Sequence, residues 1–289
     1  MHQDRQWYLE ETKRHGSVLF PFNIYPCTVP GDFPSVALHW HTDMELIFIK
    51  KGRGLVRVGL QPMEAAAEDL FVLPPGTLHG IESVEGRPME YENIIFAADF
   101  LGAGADDLCT RQYLRPLAEG QLLRPLRLRK QDSDYESAAA PLRWAEELCR
   151  EKSPGYELGV RSAMLQIIMA LLQMQHTPPQ AESRQTARLK ELLERIRMDF
   201  AAPLSVEEMA AFCGFSPSHF MRWFRKMTGD SFVSYLNAFR LTEAAQRLRQ
   251  GTDKVLTVAQ ECGFESLANF NRQFKSRYGV TPRQYRKGE

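Results

Sequence analysis

Cysteine is scarce and in no binding arrangement. The 289 residues contain five, Cys27, Cys109, Cys149, Cys213 and Cys262, an odd number with no C-x-x-C pair. Neither a disulfide framework nor a cysteine zinc site is indicated, and the five read as reduced, mostly buried thiols. A long apolar run is also missing. The most apolar stretch, Met164–Met174, is interrupted by Gln166 and Gln173 and is too short to span a bilayer, and the opening MHQDRQWYLEETK lacks the apolar core of a signal peptide. A cytoplasmic protein with no membrane partner is expected. Nor is one sign of charge in excess, since 36 Lys and Arg balance 36 Asp and Glu. With 44% hydrophobic and 25% charged residues, disorder, collagen and a uniformly basic coat protein are excluded. At about 100–200 residues per domain the length predicts two domains.

The neutral total conceals a segregation. From Ala187 onward there are 17 Lys and Arg against 11 Asp and Glu, leaving 19 against 25 in the first 186 residues. The C-terminal third is therefore basic and the rest acidic, an arrangement that confines nucleic-acid affinity to one part of a molecule.

From Ser17 to about Phe100 the sequence consists of short β-branched and aromatic runs, SVLFPFNIY, ELIFIKK, LVRVGL, DLFVLP and YENIIFAA, separated by PGDFP, KGRG and LPPG. Such spacing predicts an antiparallel sandwich or barrel. After the break LGAGADD two helices are expected, near Ser137–Cys149 and Gly159–Gln175. The second carries Val160, Met164, Ile167, Ile168, Leu171 and Leu172 at helical spacing, a stripe that must pack on the β domain or on a second subunit. HTPPQAESRQT, His176–Thr186, reads as a linker, and everything after it as helical.

The C-terminal region nearly repeats itself. Ala210-x-x-Cys213-Gly214-Phe215 recurs as Ala259-x-x-Cys262-Gly263-Phe264, and Phe220-x-Arg222-x-Phe224-Arg225-x-x-x-Gly229 recurs as Phe270-x-Arg272-x-Phe274-Lys275-x-x-x-Gly279. The region is thus two copies of one supersecondary unit. Each copy reads as a short helix ending at a glycine, a tight turn, and a second helix capped by Ser216 or Ser266, which is a helix-turn-helix. The paired phenylalanines predict the buried face of each second helix. The opposite face carries Ser218, Met221, Arg222 and Arg225 in one copy, and Ala268, Asn269, Asn271, Arg272 and Lys275 in the other. Arg and Asn can make bidentate bonds to guanine and adenine edges, and the flanking cations suit phosphates.

At these residues the chain resembles the AraC/XylS family of bacterial transcription regulators. The match covers roughly the last hundred residues, through PLSVEEMA, CGFSPSHFMRWFRKMTG, SFVSYLNAFRLTEAAQRL and GFESLANFNRQFKSRYGVTPRQYR. The resemblance implies that Met221, Arg222, Asn269 and Arg272 face bases while Phe220, Phe224, Phe270 and Phe274 form the core. Trp223 departs from the pattern and reads as core, or as packing against the connecting helix.

The β region contains His39-Trp40-His41-x-x-x-Glu45, then Gly52, and later Pro74-x-Gly76-x-x-His79. In a strand His39 and His41 share a face, which Glu45 and His79 can join if adjacent strands close into a barrel. Three imidazoles and a carboxylate could bind a divalent transition metal. Over about residues 15–100 the arrangement resembles the cupin fold, whose catalytic members use these positions as ligands, although Glu68 and Ser83 stand where its second motif has glycine and asparagine. Three readings remain: a metal-dependent enzyme, a metal held without catalysis, and polar groups lining an effector pocket. The pocket is favoured, with no cofactor required.

The expected fold is multidomain, β plus α. It comprises a cupin-like β-barrel over 1–105 that senses an effector, a helical dimerisation region over 106–176, a linker over 177–186, and an all-α double helix-turn-helix domain over 187–289. The expected function is sequence-specific regulation of transcription under a small-molecule effector such as a carbohydrate or metabolite, in a homodimer that contacts RNA polymerase if it activates. A cupin enzyme with a helical accessory domain is the alternative.

Overall fold

A computed structural model describes residues 16, 19–32, 34–102, 107–175, 183–251 and 253–287. The chain divides into two compact units, one of residues 10–36 and 40–181, the other mainly of 182–289 together with Ala37–His39. Most of the expected linker, 176–182, lies outside the described residues. Its last part is helical, since Ser183 caps a helix that begins at Arg184 and accepts a hydrogen bond from the Thr186 amide.

Eight strands are described before residue 130: β1 (Phe22–Val29), β2 (Ser35–His39), β3 (Met44–Val58), β4 (Gln61–Ala66), β5 (Leu70–Leu73), β6 (His79–Ser83), β7 (Met89–Phe96) and β8 (Leu126–Leu128). One sheet runs β1-β7-β3-β5-β8, and a second joins β2, β6, β3 and β4. The expected closed barrel is replaced by two sheets that share β3, an arrangement compatible with a cupin-like jelly roll.

The sharing explains how KGRG behaves. Read as a break, it lies inside β3, where the pairing with β7 shifts register between Ile49 and Lys51. Gly52 takes φ +82, and a Cβ there would lie 2.2 Å from the Pro88 carbonyl oxygen. The extra residue of the bulge is Lys50, and the left-handed Gly52 two residues on lets the continuous strand pass close to Pro88 as it leaves one sheet for the other. Beyond it β3 pairs with β4 and β6.

After one 3-10 turn (Ala98–Leu101) and a π-helical turn (Thr110–Leu114), α1 (Arg115–Ala118) leads to β8, then to α2 (Tyr135–Glu151) and α3 (Tyr156–Met174). The stripe on α3 packs within this unit: Val160, Met164, Ile167 and Leu171 share one core with Leu142 of α2 and with Met44, Leu46 and Phe48 of β3. The connecting region is therefore part of the β unit, with β8 as an edge strand. On β3 the residues between these, Glu45, Ile47 and Ile49, take the opposite face by the period of two, and they too are buried. Glu45 is thus a carboxylate in a strand covered on both sides.

From Arg184 onward every described element is helical: α4 (Arg184–Asp199), α5 (Val206–Phe212), α6 (Pro217–Thr228), α7 (Phe232–Gln250), α8 (Val255–Glu261), α9 (Leu267–Tyr278) and α10 (Pro282–Lys287). α5 opens with a capping box between Ser205 and Glu208. The long α7 starts at its cap Ser231 and joins the two repeats. Its Arg240 donates from Nε to the Phe200 carbonyl at 2.7 Å and from Nη2 to that of Ala202 at 2.8 Å, satisfying oxygens just beyond α4.

Candidate functional site

The repeated A-x-x-C-G-F is a helix stop written in residue types. Cys213 ends α5, Gly214 follows at φ +68, the Phe215 amide bonds the Ala210 carbonyl at 2.8 Å, and the Gly214 amide bonds that of Ala211 at 3.0 Å. The second copy reproduces the pattern at the end of α8, with Phe264 to Ala259 at 3.0 Å, Gly263 to Gln260 at 2.9 Å, and Gly263 at φ +78. Both are Schellman turns, in which glycine tolerates the left-handed residue and phenylalanine turns back toward the core. Ser216 and Ser266 then accept from the amides three residues on and start α6 and α9, and Gly229 and Gly279 end them at φ +88 and +76.

Phe220, Phe224, Phe270 and Phe274 are fully buried, each contributing about 1.5–3 kcal/mol of burial. They fix which face of α6 and α9 points outward. Trp223 is also buried, its ring 5.2 Å from that of Phe215 and 6.2 Å from that of Phe220, so it belongs to the core of the first repeat. Ser218, Met221, Arg222 and Arg225 are all exposed on α6, as are Ala268, Asn271, Arg272 and Lys275 on α9. Asn269 is half-buried, and its Oδ1 accepts from Arg272 Nη2 at 2.8 Å and Gln273 Nε2 at 3.1 Å. The sequence reading passed over His219, which the repeat places opposite Asn269. His219 is exposed, its ring 4.3 Å from that of Phe215; the offset of 50 between the copies was the available signal.

Within one unit the structure brings His41, Glu45 and His79 together, whereas His39 lies on the short segment Ala37–His39 that is grouped with the other unit. His39 ends β2, Glu45 begins β3 and His79 begins β6, while His41 lies between the first two strands. Oε2 of Glu45 is 2.5 Å from Nε2 of His41 and 3.0 Å from Nε2 of His79. Burial pushes the Glu45 carboxyl up, but His79 and His41 beside it outweigh this and hold it well below the usual carboxylate range. Each imidazole also turns Nδ1 to a backbone carbonyl: His39 to Ala37 at 2.9 Å, His41 to Asp43 at 3.1 Å and His79 to Thr77 at 2.8 Å. His41, Glu45 and His79 present two imidazoles and a carboxylate, groups that can ligate a divalent transition metal.

Two family models match the chain, an AraC-like ligand binding domain over residues 30–200 and a helix-turn-helix domain over residues 209–288. The HTH-type transcriptional activator RhaR of Pectobacterium carotovorum is 28% identical over 256 residues, which are 88% of this chain and 87% of RhaR. The multiple antibiotic resistance protein MarA of Escherichia coli is 36% identical over 95 residues, covering 33% of this chain and 75% of MarA. Among solved structures, ToxT from Vibrio cholerae aligns over 92% of this chain and 97% of its own, with 14% identity and a TM-score of 0.45. No described helix is long and apolar enough to cross a membrane. With a ligand-binding model over more than half its length and a doubled helix-turn-helix behind it, the chain belongs to the AraC family of DNA-binding transcription regulators.

Proposed function

We propose that α6 and α9 enter successive major grooves on one side of duplex DNA. Ser218, Met221, Arg222 and Arg225 would contact one groove segment, and Ala268, Asn271, Arg272 and Lys275 the next, with Asn269 holding Arg272 in place. The observation that carries the reading is the matched exposure of Arg222 and Arg272 opposite paired buried phenylalanines. Arg225 and Lys275 supply phosphate contacts.

The effector pocket is assigned to the surroundings of His41, Glu45 and His79, polar groups in a unit otherwise built of Ile, Leu, Phe and Val. A carbohydrate or other small metabolite is the ligand class proposed. The effector acts by binding the active and inactive arrangements with different affinity. A homodimer is supported by Leu158, Leu165 and Met169, which form a second stripe on α3 and are 72%, 39% and 57% exposed. The chain is proposed to act in the cytoplasm, and the naming of RhaR as an activator supports an activating mode with RNA polymerase as a partner.

The test is a titration of operator DNA at fixed salt. Arg222→Ala and Arg272→Ala should each cost about 1–3 kcal/mol at the specific site, with a much smaller loss on nonspecific DNA. Unchanged specific affinity in either variant would remove that helix from base reading.

A further inference from the structure

The two helix-turn-helix copies treat their turn phenylalanines differently. Phe264 is 5% exposed and packs at 5.1 Å against Phe270, and among the described residues no cation lies over it. Phe215 is only half-buried, and the guanidinium of Arg188 on α4 lies over its ring, 4.9 Å from the centroid. An aromatic face holds a guanidinium while leaving its N–H donors open to another partner. The arginines of α4 also divide by use. Arg195 pairs with Asp199 at 2.8 Å, and Arg197 donates from Nε to Glu194 at 2.9 Å. Arg188, and Arg184 one turn before it, are exposed and make no ion pair or hydrogen bond among the described residues, although Glu191 stands one turn on from Arg188. A cation that is held in place without a carboxylate suits an anion from outside the chain.

We propose that Arg188 grips a backbone phosphate of the duplex beside the major-groove segment that α6 enters, with Arg184 next to it on the same edge of α4. The inference rests on the reading of α6 and α9 as DNA-reading helices and adds a third element to it. In a helix-turn-helix the second helix meets base edges through its leading residues while the first crosses the sugar-phosphate backbone, and Phe215 lies in the turn between them. Ser216, the cap of α6, follows Phe215 directly, so Arg188 is anchored at the start of the helix whose outer face carries Ser218, Met221, Arg222 and Arg225. That continuity favours DNA over an acidic protein surface as the source of the anion. The guanidinium fork matches phosphate oxygens, and the contact positions the chain without reading sequence.

The experiment uses the full-length chain, the promoter fragment that it occupies in a genome-wide binding map, and a mixed-sequence duplex of equal length, titrated over a series of salt concentrations. Arg188→Met keeps an unbranched side chain over Phe215 and removes the charge. It should weaken binding to both duplexes by the same factor, several-fold at low salt, and make the dependence of log K on log salt shallower by about 0.9, the loss of one phosphate contact. Arg188→Lys should restore the slope. Arg195→Met, which removes a cation already paired with Asp199, should leave the slope unchanged. Arg222→Ala separates this inference from the reading beneath it, because it should lower affinity for the promoter fragment far more than for the mixed duplex. If it does so while Arg188→Met keeps the wild-type slope, α6 reads DNA and the phosphate grip is wrong. Equal changes of slope in Arg188→Met and Arg195→Met would also overturn the grip, since net charge and not the anchored guanidinium would then be acting. So would loss of promoter activation in Arg188→Met with DNA binding intact, which would assign the guanidinium to an acidic protein surface. A wild type that binds neither duplex would remove the DNA reading itself, and the grip with it.

Discussion

At the scale of single residues, one half-buried cation of the β unit serves two half-buried carboxylates. Lys50 on β3 contacts Glu92 of β7 at 3.2 Å and Glu146 of α2 at 2.9 Å. Burial, together with Glu92 beside it, raises the Glu146 carboxyl from 4.5 to about 7. The folded chain thus holds this proton more tightly than the unfolded one, so the contribution is full below about pH 4.5 and is lost as pH rises to about 7. Glu146→Gln removes the titration while keeping an acceptor for Lys50 and a donor to Glu92. Its urea midpoint should change less between pH 5.5 and 7.5 than that of the wild type, which should fall; equal slopes would show that Glu146 titrates normally. Such a network was not legible in the sequence, because its three members come from elements 42 to 96 residues apart. The cysteines were partly legible. Cys213 and Cys262 are buried helix ends, and burial pushes their thiols up to about 11 and about 12, but Cys109 is exposed.

Elements were most legible where residue types dictate backbone geometry. A-x-x-C-G-F announces a Schellman turn because only glycine accepts the left-handed position at low cost, and both copies make it. The copies differ in what surrounds the glycine. A Cβ on Gly214 would meet nothing within 4 Å, whereas one on Gly263 would lie 2.9 Å from the Ala201 carbonyl oxygen and 2.9 Å from Arg240 Nε. Gly214→Ala should therefore cost only the left-handed strain, about 1–2 kcal/mol. Gly263→Ala should cost more, since it also displaces the guanidinium that bonds the Phe200 and Ala202 carbonyls. Urea unfolding followed by helical circular dichroism orders the two, and equal costs would contradict the close approach. Strands were harder to read. ELIFIKK and LVRVGL fall on one strand because the chain bulges at Lys50 and passes through Gly52 without turning, and QPMEAA pairs as β4 without the alternation that marks a strand. Glu68 stands where the cupin pattern has glycine and still adopts φ +72, so the backbone kept the shape that the residue type no longer advertised.

For the whole molecule, division into a β-rich first unit and a helical second was legible from the change of period and from the charge segregation. The packing partner of α2 and α3 was not legible, since the same apolar stripe can cover a sheet or a subunit and only the shared core distinguishes them. The cluster of His41, Glu45 and His79 was legible from its spacing. The Nδ1 contacts of its imidazoles were not, because the acceptors are backbone carbonyls, which no residue type encodes.

The central claim is that one chain reads DNA with two helices that are copies of one another in frame and different in face. Hydroxyl-radical footprinting of the purified chain on the promoter fragment it occupies in a genome-wide binding map tests this most directly. The account predicts two protected segments per bound chain, their centres about one helical turn, roughly 34 Å, apart. Arg222→Ala should erase protection at one segment and Arg272→Ala at the other. A single protected segment per chain, or loss of the same segment in both variants, would contradict it.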